Sequence, residues 1–281
     1  MAFSSLTTDD GLRLFTRHWR PAGPSRAAVA LVHGYAEHSG RYDHLAATFA
    51  DLGVATYAFD LRGHGQSDGR RAYVDHFDRY LDDLGLFLDA VRGEAPGPLF
   101  LFGHSMGGLI SLSFVLNREP ELQGLLLNAP ALQVNPDLAP LLRRFARFLG
   151  WIAPTVPTVR SPQGAISRDP DVVADAEADP LSYHGRIPAR TGAELLRVGE
   201  EIQQRLAELT TPFLVLHGTG DQLATPTWSR RLYERAAVDD KTIHLYDGLY
   251  HETFNEPEQD QVLRDLRDWL AAHLPNAAPT D

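Results

Sequence analysis

Gly103-His104-Ser105-Met106-Gly107 is the segment of this 281-residue chain best suited to covalent chemistry. It joins the apolar run Leu99-Phe100-Leu101-Phe102 to a helical stretch ending near Leu116. A serine with glycine two residues to either side, between strand and helix, predicts a strained turn that lifts the hydroxyl to the carboxyl edge of a sheet. The helix that follows would aim its N-terminus at developing negative charge. A phosphate-binding loop is the competing reading, and it lacks both Gly-x-Gly-x-x-Gly and a nearby lysine, since Lys241 is the chain's one lysine.

A serine hydroxyl is a weak nucleophile at neutral pH, so it needs a base, and the base needs an orienting carboxylate. Two later strand-like runs end in loops that offer them. Phe213 to Leu216 leads into His217-Gly218-Thr219-Gly220-Asp221, and Ile243 to Tyr246 leads into Asp247-Gly248-Leu249-Tyr250-His251. Ser105, Asp221 and His251 thus follow in the chain order serine, acid, histidine that a nucleophile-elbow sheet uses. Asp247 competes for the acid, but it stands too close in sequence to His251 to hold the imidazole from the far side. His104 and His217 read as packing or hydrogen-bonding residues, His273 lies near the tail, and His18, His44 and His76 precede the serine. Acyl transfer also needs donors for the oxyanion. The backbone N–H of Met106 is one, and the N–H of Tyr35 in the loop His33-Gly34-Tyr35 is the second. His251-Glu252 begins like a His-Glu-x-x-His zinc motif, but Asn255 stands where the second histidine belongs, and no metal or cofactor is expected.

These residues need a mostly parallel sheet with helices on both faces, and the pattern predicts one. Ala28 to Val32, Val54 to Phe59, Pro98 to Phe102, Gly124 to Leu127, Pro212 to Leu216 and Thr242 to Tyr246 read as buried strands, and Leu12 to Trp19 as an early edge strand. Val74 to Val91, Met106 to Leu116 and Gln259 to Leu274 read as helices. Between Gln133 and Leu206 no strand is evident, which predicts a helical insertion at 133–206 between core segments 1–132 and 207–281. Within it Leu138, Leu141, Leu142, Phe145, Phe148, Leu149 and Ile152 share one helical face, with Arg143, Arg144 and Arg147 opposite. That stripe fits a helix packed on the core, or one meeting an acyl chain or lipid surface, for which Leu142 and Phe145 are the candidate contacts.

Composition narrows the function further. Zero cysteines exclude disulfides, thiolate metal sites and a cysteine nucleophile. A formal charge of -11 argues against binding nucleic acid through a broad basic surface. Met1 to Asp10 shows no signal-peptide pattern and no apolar stretch approaches membrane-spanning length, so the expected location is the cytoplasm, with peripheral contact at a membrane surface. Pro275 to Asp281 reads as a frayed tail.

The segments His33 to Tyr42, Asp60 to Gly69, Gly103 to Gly108, His217 to Asp221 and Tyr246 to Glu256 together resemble the α/β-hydrolase superfamily and, within it, the monoacylglycerol lipase group with its lysophospholipase relatives. Ile166 to Pro170 and Asp179-Pro180-Leu181 are similar to the cap of the bacterial members. The resemblance implies an inserted helical cap over the sheet, and hydrolysis of a monoacylglycerol or related single-chain lipid ester. It also implies a polar glycerol pocket, near which Glu37 and Arg41 match; the same pair reads equally as an ion pair within its loop. Mammalian members carry a further histidine three residues after the catalytic one, where this chain has Phe254. A broad carboxylesterase or lysophospholipase, a carbon–carbon hydrolase or peptidase, and a non-catalytic binding protein remain open; a dehalogenase would need a carboxylate where Ser105 stands.

Overall fold

The computed structural model describes residues 2–95, 97–133 and 140–275. Leu138 of the apolar stripe and the tail after Pro275 lie outside them. The strands are β1 Ala2–Thr7, β2 Arg13–Trp19, β3 Ala27–Val32, β4 Val54–Phe59, β5 Leu99–His104, β6 Gly124–Asn128, β7 Phe213–Gly218 and β8 Lys241–Tyr246. They form one sheet in the order β1-β2-β4-β3-β5-β6-β7-β8. β2 pairs antiparallel with both β1 and β4, and every pairing from β4 to β8 is parallel. The edge strand is therefore β1, and Leu12 to Trp19, expected at the edge, lies one strand in. β1 reads Ala-Phe-Ser-Ser-Leu-Thr and is exposed along nearly its whole length, so it carries no buried alternation to announce it.

β3 to β7 are buried residue by residue, as continuous apolar runs in a sheet covered on both faces must be. The period of two sorts their side chains between two cores. Leu99 and Leu101 of β5 join Ala28, Ala30 and Val32 of β3 on one face. Phe100 and Phe102 join Val29 and Leu31 on the other. The helices are α1 Asp43–Ala50, α2 Asp78–Glu94, α3 Met106–Arg118, α4 Pro140–Ile152, α5 Pro170–Ala178, α6 Ala189–Arg205, α7 Pro226–Arg235 and α8 Gln259–His273. α2, α3 and α7 supply Leu84, Phe87, Leu109 and Leu232 to the first core. α1 and α8 supply Leu45, Phe49, Leu266 and Trp269 to the second. α2 starts at Asp78, four residues later than the pattern suggested, because Val74 and Phe77 bury themselves from the preceding loop: Thr191 Oγ1 accepts the Val74 N–H and Glu194 that of Phe77.

Between β6 and β7 the described residues hold α4, α5 and α6 and no strand. α4 packs on α6 where Gly150 meets Ala193, and a Cβ at Gly150 would lie 2.7 Å from the Ala193 Cβ. Arg147 and Arg143 also reach Glu200 of α6. Arg143 and Arg147 of α4 thus face α6, while Arg144 is exposed, as are Leu142, Phe145, Phe148 and Ile152, with Phe145 at 58% and neighbouring Trp151 at 73%. A helix packed on the core by its apolar stripe is not what the chain builds.

Candidate active site

Ser105 sits on the turn between β5 and α3 with φ 52° and ψ -117°, a conformation that a side-chain-bearing residue adopts only when its surroundings impose it. The constraint is visible at Gly107, where a Cβ would come within 2.1 Å of the Val32 carbonyl, so α3 presses directly on the end of β3. The Ser105 N–H donates to the Asn128 carbonyl at 3.0 Å, and its own carbonyl accepts from Leu109 and Ala131. The turn is locked to β6 as well as to its own helix.

His251 lies in the loop after β8 and is buried. Its Nε2 is 2.7 Å from Ser105 Oγ and its Nδ1 is 2.7 Å from Asp221 Oδ2. Asp221 caps the turn after β7, where Oδ1 accepts the Leu223 and Ala224 N–H groups at 2.7 and 3.0 Å. Burial opposes the charge on Asp221, but His251 and the hydrogen bonds from both neighbouring histidines hold its carboxyl well below the usual range. Burial likewise opposes a His251 imidazolium, and the Asp221 carboxylate outweighs it, so the pKa of His251 is raised. Asp247 is elsewhere: it is exposed and accepts from Thr219 Oγ1.

His104 packs its ring 4.8 Å from that of His251. Burial and the adjacent His251 push its pKa down to about 3, so it presents a neutral ring to the base. Asn128 Nδ2 lies 2.9 Å from His104 Nδ1 and donates to the His251 carbonyl at 3.1 Å, while its Oδ1 accepts from Thr253. Through Asn128 the end of β6 braces both the serine turn and the histidine loop. Glu256 adds a second brace, accepting from Tyr250 N–H and from Arg168. Phe254 is buried against Tyr42, Phe102 and His104, in an apolar setting.

The loop after β3 closes the site from the other side. A Cβ at Gly34 would lie 2.7 Å from Glu37 Oε1 and 3.2 Å from Ser105 Cβ, so glycine lets this backbone pass close to both the glutamate and the nucleophile. Glu37 accepts from the Gly34 N–H at 2.5 Å and from Tyr42 Oη at 2.6 Å, and Arg41 bonds Glu37 at 3.2 Å and Glu252 at 2.6 and 2.8 Å. The charges of Glu37 and Arg41 are thereby taken up inside the protein, tying the Gly34 loop to the His251 loop. Of the two readings of this pair, the geometry displays the ion pair. Tyr35 and Met106 are carried by the two segments that meet at Ser105, and Met106, as the first residue of α3, has an N–H that the helix itself cannot satisfy. The residues before α6 cover this loop: Tyr183 N–H donates to the Ala36 carbonyl at 2.9 Å and His38 Nε2 lies 2.6 Å from Asp179 Oδ2.

Three residues of this arrangement carry no sequence signal for the places they take. His217 and Ser229 stand behind Asp221, and Asn128 stands behind His251. A strand-terminal Asn or His is common, and only the fold reveals which loop it touches. Chemically, a serine in line with a buried, carboxylate-backed imidazole, at a helix N-terminus, is equipped for acyl transfer.

Residues 23–258 match the family described as serine aminopeptidase, S33. The chain is 40% identical to the monoacylglycerol lipase of Mycolicibacterium smegmatis over 94% of its own length and 95% of that protein. It is 33% identical to the Homo sapiens monoglyceride lipase, covering 97% of this chain and 91% of the relative. The crystal structure of Paleococcus ferrophilus monoacylglycerol lipase superposes with a TM-score of 0.83 at 34% identity, over 92% of this chain and 99% of that one.

Proposed function

The chain belongs to the serine aminopeptidase S33 family, with the α/β-hydrolase fold, and from that premise we propose that it is a monoacylglycerol lipase, cleaving a monoglyceride to glycerol and a fatty acid. What carries the reading is the hydrogen-bonded line Ser105–His251–Asp221, in a chain similar along nearly its full length to such lipases. His251 Nε2 takes the Ser105 proton as Oγ attacks the ester carbonyl, and Asp221 stabilises the imidazolium that forms. The Tyr35 and Met106 N–H groups hold the oxyanion. The carbon–oxygen bond to glycerol breaks, and His251 returns the proton to the leaving alkoxide. Water, deprotonated by the same imidazole, then attacks the acyl carbonyl, the acyl–Oγ bond breaks, His251 returns the proton to Ser105 Oγ, and the acid leaves.

In this reading residues 133–206 form a cap, and the exposed face of α4 meets the lipid phase from which a single-chain substrate is drawn. Leu142, Phe145, Phe148 and Trp151 present a broad apolar surface to solvent, of the kind that marks an interaction site. Between Asp137 and Asp169 the sequence holds five arginines and no acidic residue, against a whole-chain charge of -11. Aromatic and basic side chains together suit a helix lying at a lipid interface. Among the described residues no helix is long and apolar enough to cross a membrane, and this reading takes the contact as peripheral.

The test is steady-state turnover of 1-monooleoylglycerol beside dioleoylglycerol, triolein and oleoyl-lysophosphatidylcholine, with Ser105→Ala as control. Preference for the monoglyceride, lost in Ser105→Ala, is expected. Equal turnover of the lysophospholipid, or of short soluble esters only, would replace the lipase with a broader esterase.

A further inference from the structure

Asp221 is held from two sides. Its Oδ2 accepts from His251 Nδ1 at 2.7 Å and also lies 3.0 Å from Nε2 of His217, at the end of β7. His217 is fully buried, and its Nδ1 is 2.7 Å from Oγ of Ser229, buried on α7. Nε2 faces only acceptors, the Asp221 carboxylate and the Ala224 carbonyl at 3.1 Å, so it carries the hydrogen. In the neutral ring Nδ1 is then the acceptor, and the Ser229 hydroxyl donates. The hydrogen bonds run Ser229–His217–Asp221–His251–Ser105: a serine and a histidine on each side of one carboxylate oxygen, of which only one pair can reach a substrate.

We propose that His217, held by Ser229, is a positioning residue for the reaction, which fixes the Asp221 oxygen that orients His251 and sets how strongly that oxygen favours the His251 imidazolium. The inference rests on the reading of Ser105, His251 and Asp221 as the reacting line. An oxygen that accepts two hydrogen bonds shares its charge between them, so withdrawing the His217 donor leaves more for His251. Leu223 and Ala224 still hold Oδ1, so Asp221 stays in the site, and what His217 adds is the fixed direction of Oδ2 toward His251. The groups facing His251 are Asp221, the His104 ring, Glu252 and, with Arg41, Glu37; the one facing His217 is Asp221. The acid limb of activity therefore reports directly on the link.

The experiment compares His217→Asn, His217→Gln, Ser229→Ala and Ser105→Ala on a soluble butyrate ester, with competent sites counted by fluorophosphonate titration. In His217→Asn, which cannot reach Oδ2, kcat per competent site should fall by about tenfold to a hundredfold, by analogy with the loss of the hydrogen-bond partner that orients a metal-ligating histidine. KM should change little, and the acid limb of kcat/KM should move to higher pH. His217→Gln places an amide donor where Nε2 stood and should restore both readouts, with Ser229→Ala between. Equal losses in the Asn and Gln variants with an unmoved limb would mean packing alone and would overturn the proposal, as would wild-type behaviour of His217→Asn. If His217→Asn does not fold, an unmoved limb in folded Ser229→Ala overturns it too. Turnover persisting in Ser105→Ala would instead remove the reading on which the inference stands.

Discussion

In the proposed reaction His251 works only while Nε2 is free to take the serine proton, and the Asp221 carboxylate at Nδ1 favours the cation. The sign follows: because the pKa of the folded-state histidine is raised, the acid limb of kcat/KM should fall above the ordinary histidine value of about 6.5. Asp221→Asn, which keeps the shape and removes the charge, should lower kcat by about 10⁴ and move the limb to lower pH. A limb at or below the ordinary value in the unmodified protein, measured on a soluble ester, would sink the argument. At this scale much of the site can be read in advance. Ser105, Asp221 and His251 each follow a recognisable β run, and chain order then does the pairing. Glu37 and Arg41 were harder, since a charged pair four residues apart fits a ligand or an internal tie equally. Glu252, the carboxylate that occupies the rest of the guanidinium, stands 211 residues further on. His217 was legible as a buried histidine but not as a partner of the acid, because that contact depends on how the turn after β7 folds back.

α4 shows what periodicity can and cannot decide. Spacing places Leu142, Phe145, Phe148 and Ile152 on one side, but it does not say which side turns inward. Here Gly150 permits close approach to α6 and Glu200 takes Arg143 and Arg147, so Gly150 and these two arginines face the protein, while Arg144 does not. The apolar side is left open. If that side docks on lipid, Leu142→Ser with Phe145→Ser should reduce turnover of aggregated long-chain monoglyceride much more than that of a soluble butyrate ester. Both side chains are about half exposed already, so little folding stability should be lost. Equal losses on both substrates would mean that the helix only supports the pocket. Other segments of this region have internal duties that explain their particular sequences. Ile166 to Arg168 anchors the His251 loop through the Ile166 carbonyl and Glu256, and Asp179 to Tyr183 clasps the loop that carries Tyr35. β1, α1 and α7 carry weak sequence signals: β1 is exposed along nearly its whole length, α1 is short, and α7 is short and rich in arginine.

Across the whole molecule, charge is distributed unevenly enough to orient it. The formal total is -11, yet the stretch that carries the exposed apolar face holds only arginines among its charged residues; Glu200, Glu256 and Glu258 pair with Arg143, Arg147 and Arg168, while Arg144 and Arg160 stand exposed. In the proposed reading an anionic lipid surface would repel most of the protein and attract this region, so its field would turn the proposed cap toward the membrane before any apolar contact forms. At physiological ionic strength such attraction reaches about 8 Å, which makes it a close-range bias added to apolar burial. Binding of the Ser105→Ala protein to phosphatidylcholine vesicles should therefore strengthen as phosphatidylglycerol is added and weaken toward the phosphatidylcholine level as salt is raised. The Leu142 and Phe145 double substitution should weaken binding to both compositions, because it removes the apolar part and leaves the arginines. Binding that declines as anionic lipid is added would show that the net charge governs the approach and that the arginines serve ion pairs within the protein.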